Sequence, residues 1–295
     1  MAERSPEVLV IPAGFSVRFL NLLKRTFVGA FDDGCFGIAK GAAYSSLLAF
    51  FPAMASLTAI LAQVQAESMS RMISRFLFEL APQGSQDLVR FVFTERGQRP
   101  LWLLIVSSTL SIWAATGAVM SLMEGFQAAY KLPGGRPFLK QRGVAVLLVF
   151  AAAAPSLGAT SLMLFGNRTE RMILQWLHLL PQGDQFQWWV VLIGRSFRYA
   201  TALAATVLVT GLLYHFGPNR PAKKLREVWP GAILATVLWL PATAGFGWYV
   251  GHIANYNVLY GSVAAGIVLL IWMYLLAVIA LVGCEFNAEW ARKME

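Results

Sequence analysis

The sequence predicts an all-α fold, a polytopic membrane bundle of six transmembrane helices with additional amphipathic helices at the membrane interface. Hydrophobic residues make up 57% of the 295 residues and charged residues only 13%, whereas a soluble domain carries about 25% charged residues. Long segments without Asp, Glu, Lys or Arg recur along the chain. Because a helix needs roughly 20 apolar residues to cross about 30 Å of hydrocarbon, each of these segments is long enough to span a membrane.

The uncharged segments give the number of spans. Four of them accommodate one helix each, and the fifth, residues 228–284, is long enough for two helices and a short turn. They form a membrane domain of residues 37–290, between a cytoplasmic N-terminal segment, 1–36, and a short C-terminal tail, 291–295. The predicted spans cover about residues 41–65, 101–123, 143–166, 195–216, 229–250 and 263–284.

The segment before the first span has the pattern of an amphipathic helix. Phe15, Phe19, Leu23 and Phe27 recur every four residues with basic residues between them, as in a helix that lies in the membrane interface. Residues 69–80, in the loop after the first span, also repeat apolar residues at helical intervals. We expect a second interfacial helix there, which either lies on the outer leaflet or covers a cavity between spans.

The net charge of +9 is explained by membrane topology. Lys and Arg favour the cytoplasmic segments of membrane proteins. Fifteen basic residues lie in the alternate segments that include both termini, and seven lie in the opposite loops. Both termini are therefore predicted to be cytoplasmic. The basic loops on that side would also attract anionic lipid headgroups, and we expect no nucleic-acid partner.

An internal repeat relates the first two spans to the next two in one interpretation of the sequence. Residues 47–57 match residues 147–157 at six of 11 positions, and a Pro-Gln-Gly motif follows in each half. The repeat would pair residues 41–123 with residues 143–216 in the same orientation. Chance similarity between apolar helices is the alternative.

The turn before the last span is polar but uncharged, with the candidate residues Asn255, Tyr256, Asn257 and Tyr260. Backbone groups that leave a helix near the membrane need hydrogen-bond partners, and Asn tolerates the left-handed backbone of a tight turn. The four side chains therefore form either a well-bonded structural turn or a polar rim that recognises a lipid headgroup.

Other candidate residues lie near the ends of the spans. Arg195 and Arg198 begin the fourth span, where they either extend to the interface or hold an anionic headgroup. Tyr44 and Ser45 place hydroxyl groups in the first span. Such groups hydrogen-bond between helices or line a path for an amphiphile.

The cytoplasmic ends of the first and last spans carry three further candidates. Lys40 begins the first span and Glu285 ends the last, so we expect an ion pair that fastens the two helices. Asn287 would cap carbonyl groups nearby. A structural role is favoured over a proton relay, because the sequence has no ionisable residue at mid-depth in the bilayer.

The last span and its flanks resemble a known family. The segment "YNVLYGSVAAGIVLLIWMYLLAVIALVGCEFNAEW" has an external "YN..YG" turn and a closing "G.E.NA" motif, similar to those of the YihY/BrkB family of bacterial inner-membrane proteins. The segments "GRPFLKQR" and "GPNRPAKKLREVWPGAILATVLW" agree with the same family. The resemblance covers residues from about 20 to 290 and implies a multi-pass protein of the bacterial cytoplasmic membrane.

Many members of that family carry the label ribonuclease BN, which requires a test against these residues. Hydrolysis of RNA needs metal ligands or an acid–base pair within reach of each other. His178, His215 and His252 lie far apart in the sequence, and the acidic residues are scattered, with Glu124 and Glu285 at span ends. We therefore predict no enzymatic activity, no metal site and no cofactor.

The sequence favours a protein that handles or transports a lipid or another amphiphile in envelope maintenance. The alternative is a scaffolding membrane protein that binds a partner complex, and ribonuclease activity is a third, disfavoured hypothesis. Expected partners are membrane lipids and either a second copy of the chain or other membrane proteins.

Overall fold

A computed structural model describes residues 15–63, 101–176, 188–220, 225–252 and 263–292. All regular structure in these ranges is helical. A short 3₁₀ helix, Leu225–Glu227, precedes the sixth long helix. The long helices are α1 (Phe15–Asp32), α2 (Cys35–Gln63), α3 (Leu101–Ala129), α4 (Phe138–Trp176), α5 (Trp188–Phe216), α6 (Trp229–His252) and α7 (Ala264–Arg292).

The predicted number of spans is confirmed. Six helices of the described part, α2 to α7, are long and apolar enough to cross a membrane. Most extend past the predicted limits; α3, for example, continues to Ala129 and α7 to Arg292. The charged residues that limited the predicted spans lie within these longer helices, because 29 residues at about 1.5 Å each exceed the hydrocarbon thickness and continue into the interface.

The predicted N-terminal amphipathic helix is α1. One of its faces packs inside the protein with Leu22 and Ala30 buried, whereas Leu20, Phe27 and Phe31 are exposed on another face. An exposed apolar face beside a polar one is expected of a helix at a membrane surface. The second predicted amphipathic helix, residues 69–80, lies outside the described residues.

The helices pack in chain order into one bundle. Each span from α2 to α6 contacts the next along the chain, and α6 contacts α7. Helix α7 also contacts α1, α2 and α3, so it closes the bundle and joins its first half to its last. The order is compatible with the repeat of residues 41–123 and 143–216, which stays a prediction because both Pro-Gln-Gly motifs lie outside the described residues.

The core is concentrated at one end of the bundle. We call this the terminal end, because α1 and the last turns of α7 meet there; it is the side predicted to be cytoplasmic. Away from it, residues 149–164 of α4, 199–210 of α5 and 237–249 of α6 include no buried residue. The core at the terminal end comprises Ala30, Cys35, Ala39, Ala42, Phe126, Ala129, Tyr214, Val228, Ala232, Ala277, Leu281 and Cys284.

Small residues allow the helices to approach closely at the terminal end. A Cβ atom at Gly283 of α7 would lie 2.8 Å from the carbonyl oxygen of Gly231 in α6 and 2.5 Å from the Tyr214 hydroxyl oxygen. That hydroxyl group donates a hydrogen bond of 2.5 Å to the carbonyl of Ala280. Close backbone approach at small residues is the usual way in which membrane helices gain packing energy.

We expect Gly283→Ala to destabilise the protein by about 1–3 kcal/mol, because the added methyl group has no space between α6 and α7. The measurement is the thermal unfolding midpoint of the purified protein in detergent. Gly266→Ala is the matched control on the same helix, since a Cβ atom there meets no other atom within 4 Å. Equal midpoints for the two variants would contradict the packing described here.

Candidate functional site

The end of α7 is buried within the terminal end. Every residue from Gly283 to Ala288 is buried, although this segment includes a carboxylate, Glu285, and an amide, Asn287. Buried polar side chains require partners. The partners of these two side chains therefore indicate what the segment does.

Asn287 holds the start of α6. Its side-chain oxygen accepts a hydrogen bond of 2.6 Å from the backbone N–H of Gly231, and its side-chain nitrogen donates one of 2.9 Å to the carbonyl of Val228. The first N–H groups of a helix have no partner inside the helix. Asn287 thus caps the N-terminus of α6 from a different helix by accepting from the N–H of Gly231. Its amide nitrogen also donates to a nearby carbonyl, that of Val228.

Glu285 lies under α1 and is fully buried. Neither carboxylate oxygen has a hydrogen-bond partner among the described residues, and the nearest cationic atom is Nη1 of Arg292, 3.9 Å from Oε1. A Cβ atom at Gly29 of α1 would lie 2.6 Å from the same oxygen. The absence of a side chain at Gly29 is therefore what lets α1 cover Glu285.

Lys40 does not pair with Glu285 among the described residues. Its side chain is exposed, and the ion pair of Glu285 is made by Arg292. Glu285 and Arg292 are two helical turns apart on α7, so their side chains lie on the same face of that helix. This ion pair therefore does not depend on how α7 packs against another helix. The expected pair between the first and last spans is thus replaced by one within α7.

Several basic residues of the terminal end serve the protein itself. Arg136 donates to the carbonyls of Gly217 and Phe216 at the end of α5, at 2.8 and 3.1 Å. Arg292 donates to the carbonyl of Ala129 at the end of α3, at 2.7 Å, and pairs with Glu289. These guanidinium groups satisfy the free carbonyls of helix C-termini.

Two other arginines stack on aromatic rings. Arg220 lies 4.3 Å above the ring of Tyr130 and forms a salt bridge of 3.0 Å with Glu227. Burial raises the pKa of the Tyr130 hydroxyl group above its ordinary value, so the ring stays neutral beneath the cation. Arg142 lies 3.7 Å above the ring of Trp113. Both contacts are favourable cation–π interactions.

The remaining basic residues near α1 surround a surface cleft of about 650 Å³, which we call the terminal cleft. Lys24, Arg25 and Lys131 line it together with Asp32 and Glu289. The side chains of the three basic residues make no ion pair with any described residue. The cleft therefore combines three cationic groups that form no salt bridge with a described residue, although Lys131 interacts electrostatically with Glu285.

Lys131 occupies an unusual backbone position beside the cleft. Its φ is 50°, in the left-handed region that is costly for residues with a side chain. The N–H groups of Lys131 and Leu132 bond to the carbonyls of Ala128 and Gln127, which is the Schellman pattern at the end of α3. Gly is the usual residue at such a position.

The two candidate arginines of α5 have different environments. Arg195 is exposed, whereas Arg198 is only 7% exposed. A Cβ atom at Gly166 of α4 would lie 2.5 Å from Cδ of Arg198. Arg198 is thus packed between α4 and α5, and Gly166 provides the space for it.

The two candidate hydroxyl groups of α2 also differ in their environments. Tyr44 is 59% exposed on the surface of the bundle. Ser45 faces α3, since its hydroxyl oxygen lies 3.4 Å from the Cβ position of Gly117. A pair not singled out in the sequence, Ser56 and Ser108, joins the same helices through a hydrogen bond of 2.5 Å. The four turn candidates Asn255, Tyr256, Asn257 and Tyr260 lie outside the described residues.

The described residues offer no constellation for metal-dependent hydrolysis. Among them, no group of three or more His, Cys, Asp or Glu side chains could hold a metal ion. Glu124 is exposed on α3, and Glu285 is enclosed on α7. What the geometry offers instead is charge: a buried arginine between α4 and α5, and a cationic cleft beside α1.

The sequence did not reveal the terminal cleft. In the sequence, Lys24 and Arg25 are topology signals and part of the polar side of an amphipathic helix, and nothing in their spacing predicts that Lys131 lies beside them. Directly after α3 the sequence reads "YKLPGG", and its lysine gives no sign of the left-handed backbone that Gly usually provides at the end of a helix. A polar face on an interfacial helix next to a basic loop was the available signal.

Comparisons with known proteins identify relatives over nearly the whole chain. The family model described as virulence factor BrkB matches residues 26–295. The "Putative ribonuclease-like protein YfkH" of Bacillus subtilis is 28% identical over 250 residues, which cover 83% of this chain and 86% of the relative. No solved structure matches.

Two further relatives are named UPF0761 membrane proteins. The one from Alkalilimnicola ehrlichii is 31% identical over 263 residues, 86% of this chain and 55% of the relative. The one from Aromatoleum aromaticum is 25% identical over 284 residues, 95% of this chain and 65% of the relative. The chain therefore spans between about half and two thirds of the length of these relatives.

We expect Asn287→Ala to destabilise the protein by about 1–3 kcal/mol, because it leaves the buried N–H of Gly231 without a partner and removes one of the two donors to the carbonyl of Val228, which keeps the N–H of Ala232. Asn287→Asp keeps an acceptor for Gly231 but places a carboxylate oxygen against the carbonyl oxygen of Val228 and buries a charge, so it should destabilise the protein at least as much. The thermal unfolding midpoint in detergent measures both changes. An Asn287→Ala midpoint equal to that of Asn21→Ala, which changes an exposed amide, would contradict the capping role.

We expect Glu285→Gln to stabilise the protein by about 1–2 kcal/mol, because it removes a buried charge that has no hydrogen bond among the described residues. Arg292 would keep its contacts with Glu289 and with the carbonyl of Ala129. Unfolding midpoints are compared with those of Glu124→Gln, which neutralises an exposed carboxylate. A lower midpoint for Glu285→Gln than for Glu124→Gln would mean that the charge stabilises the fold.

Proposed function

The chain belongs to the virulence factor BrkB family of multi-pass inner-membrane proteins, and we propose that it handles or transports a lipid or another amphiphile within the membrane. The proposal includes no catalytic step. The word ribonuclease occurs in the name of the Bacillus subtilis relative. No group of metal-ligating side chains among the described residues supports the assignment of that activity to this chain.

The observation that carries the proposal is the burial of Arg198 in a helix that spans the membrane. A guanidinium group inside a membrane protein is expensive to bury, and such residues commonly mark the path of a substrate or ion. Arg198 lies on α5 within the segment Leu192–Phe216 that is apolar enough to cross a membrane. The space that Gly166 leaves for it indicates that α4 and α5 accommodate this charge as part of their packing.

The surrounding packing supports the same proposal. The long stretches of α4, α5 and α6 without any buried residue contrast with the dense terminal end. These stretches expose large apolar side chains such as Phe150, Leu208 and Trp248, along which the chains of an amphiphile would lie. A headgroup with a negative charge would meet Arg198 there, while its chains would remain in hydrocarbon.

The scaffolding alternative differs in what it requires of Arg198. A protein that only holds a partner complex needs its loops and outer surface, and a buried guanidinium group would then serve helix packing alone. Measurement of lipid movement separates the two hypotheses, because packing can be monitored independently through thermal stability.

We expect Arg198→Gln to reduce transbilayer movement of a labelled anionic lipid about tenfold or more, since a charge-assisted hydrogen bond contributes about 1.5–3 kcal/mol. The assay uses vesicles that contain the purified protein. Arg195→Gln is the matched control: it removes the same charge one turn earlier, at an exposed position, and should change the rate less than twofold.

Two outcomes would overturn the proposal. One is an Arg198→Gln variant that folds and moves lipid as fast as the wild type. The other is a wild-type protein that moves none of several lipids with anionic or zwitterionic headgroups, which would favour the scaffolding alternative.

A further inference from the structure

We propose that the terminal cleft binds the phosphate group of a membrane lipid in the leaflet against which α1 lies. The inference rests on the proposed function for the class of ligand, and it adds a second binding site at the end of the bundle opposite to Arg198. Lys24 and Arg25 of α1 and Lys131 after α3 supply the positive charge.

The charge balance of the cleft favours an anion. The lining holds three cations, Lys24, Arg25 and Lys131, and two carboxylates, Asp32 and Glu289, of which Glu289 pairs with Arg292. The lining therefore has an excess of one positive charge. Arg136, Arg292, Arg220 and Arg142 are held by protein carbonyls, carboxylates or rings. Lys40 and Lys140 are exposed outside the cleft, whereas the cleft brings three cationic side chains together in one lining.

The backbone of Lys131 is a second, independent reason to assign a ligand to the cleft. A residue held in the left-handed region is strained unless it is Gly, and strain of this kind is concentrated at functional sites. The Schellman turn at the end of α3 would form more easily with Gly at position 131. The side chain that Lys131 adds at this backbone position lines the cleft, which is where we infer that it offsets the cost of the left-handed backbone.

The neighbouring face of α1 favours a lipid over a soluble phosphate. Leu20, Phe27 and Phe31 are more than 60% exposed on α1, and Val28 at the cleft itself is 49% exposed. A lipid would place its phosphate among the cations and its chains along this apolar face. A volume of about 650 Å³ lies within the range of sites that hold small ligands. A free phosphate ester would use only the charged wall.

The test measures the binding of phosphatidylglycerol to the purified, delipidated protein by native mass spectrometry. We expect the double variant Lys24→Gln/Arg25→Gln to bind at least tenfold more weakly than the wild type, and Lys131→Gly to bind about tenfold more weakly. The control is Lys40→Gln/Lys140→Gln, which removes two exposed charges outside the cleft lining and should leave the affinity within twofold.

Lys131→Gly also separates binding from folding. The substitution relieves the left-handed backbone, so the unfolding midpoint should stay equal or rise while lipid binding falls. Loss of binding together with a lower midpoint would overturn the role assigned to the Lys131 side chain. Cleft variants that bind as tightly as the control would overturn the site as a whole.

Two further arms identify the source of the phosphate. Glycerol 3-phosphate should not compete at concentrations at which the lipid saturates the protein, and equal binding of the two compounds would overturn the assignment to a lipid. Lys24→Gln/Arg25→Gln should weaken the binding of phosphatidylglycerol by the same factor in the Arg198→Gln background as in the wild type. Lipid movement tests Arg198, and this additional loss of binding tests the cleft, so a failure of the proposed function and a failure of this site give different results.

Discussion

The burial of residues 283–288, near the end of α7, is the constraint on which the rest of the structure depends. Hydrocarbon provides no hydrophobic force between membrane helices, so the bundle must be held by close packing and by polar contacts. Both converge on residues 283–288, which contact α6 through a pair of glycines, α5 through Tyr214 and α1 through Gly29. A bulkier or more flexible segment there would separate three helices at once.

The same constraint explains how the charges are divided. A protein with many arginines at one end can use them for its own helix ends or leave them for ligands. Here Arg136 and Arg292 satisfy carbonyls at the ends of α5 and α3, and this fixes the frame of the terminal end. The cations of α1 and of the turn after α3 lie outside that frame, where they can exchange partners without loosening the bundle.

Much of the fold could be predicted from the sequence, because each uncharged segment that is long enough to cross the hydrocarbon layer predicts a helix. The contacts between helices were harder to predict. Lys40 and Glu285 have similar depths, but depth says nothing about the direction in which a side chain points, and Arg292 was nearer along the same helix face. An amide near helix ends predicts that Asn287 caps backbone groups by hydrogen bonds. Which groups it caps, those of residues 228 and 231, depends on the packing between α6 and α7. The left-handed backbone of Lys131 contradicts the local preference for Gly, so no propensity argument could have placed it.

The cap that Asn287 supplies to α6 also has a consequence for biogenesis. Chains are synthesised from the N-terminus, and early parts begin to fold while later ones are still emerging. Helix α6 emerges before the segment that carries Asn287, so the first turn of α6 waits for a partner that lies more than 50 residues later in the chain. The cover that α1 forms over Glu285 waits for the same segment. Insertion of the earlier spans is thus separated in time from closure of the terminal end, and a chain that stops short of this segment would reach the membrane but remain open to proteolysis at the side predicted to face the cytoplasm.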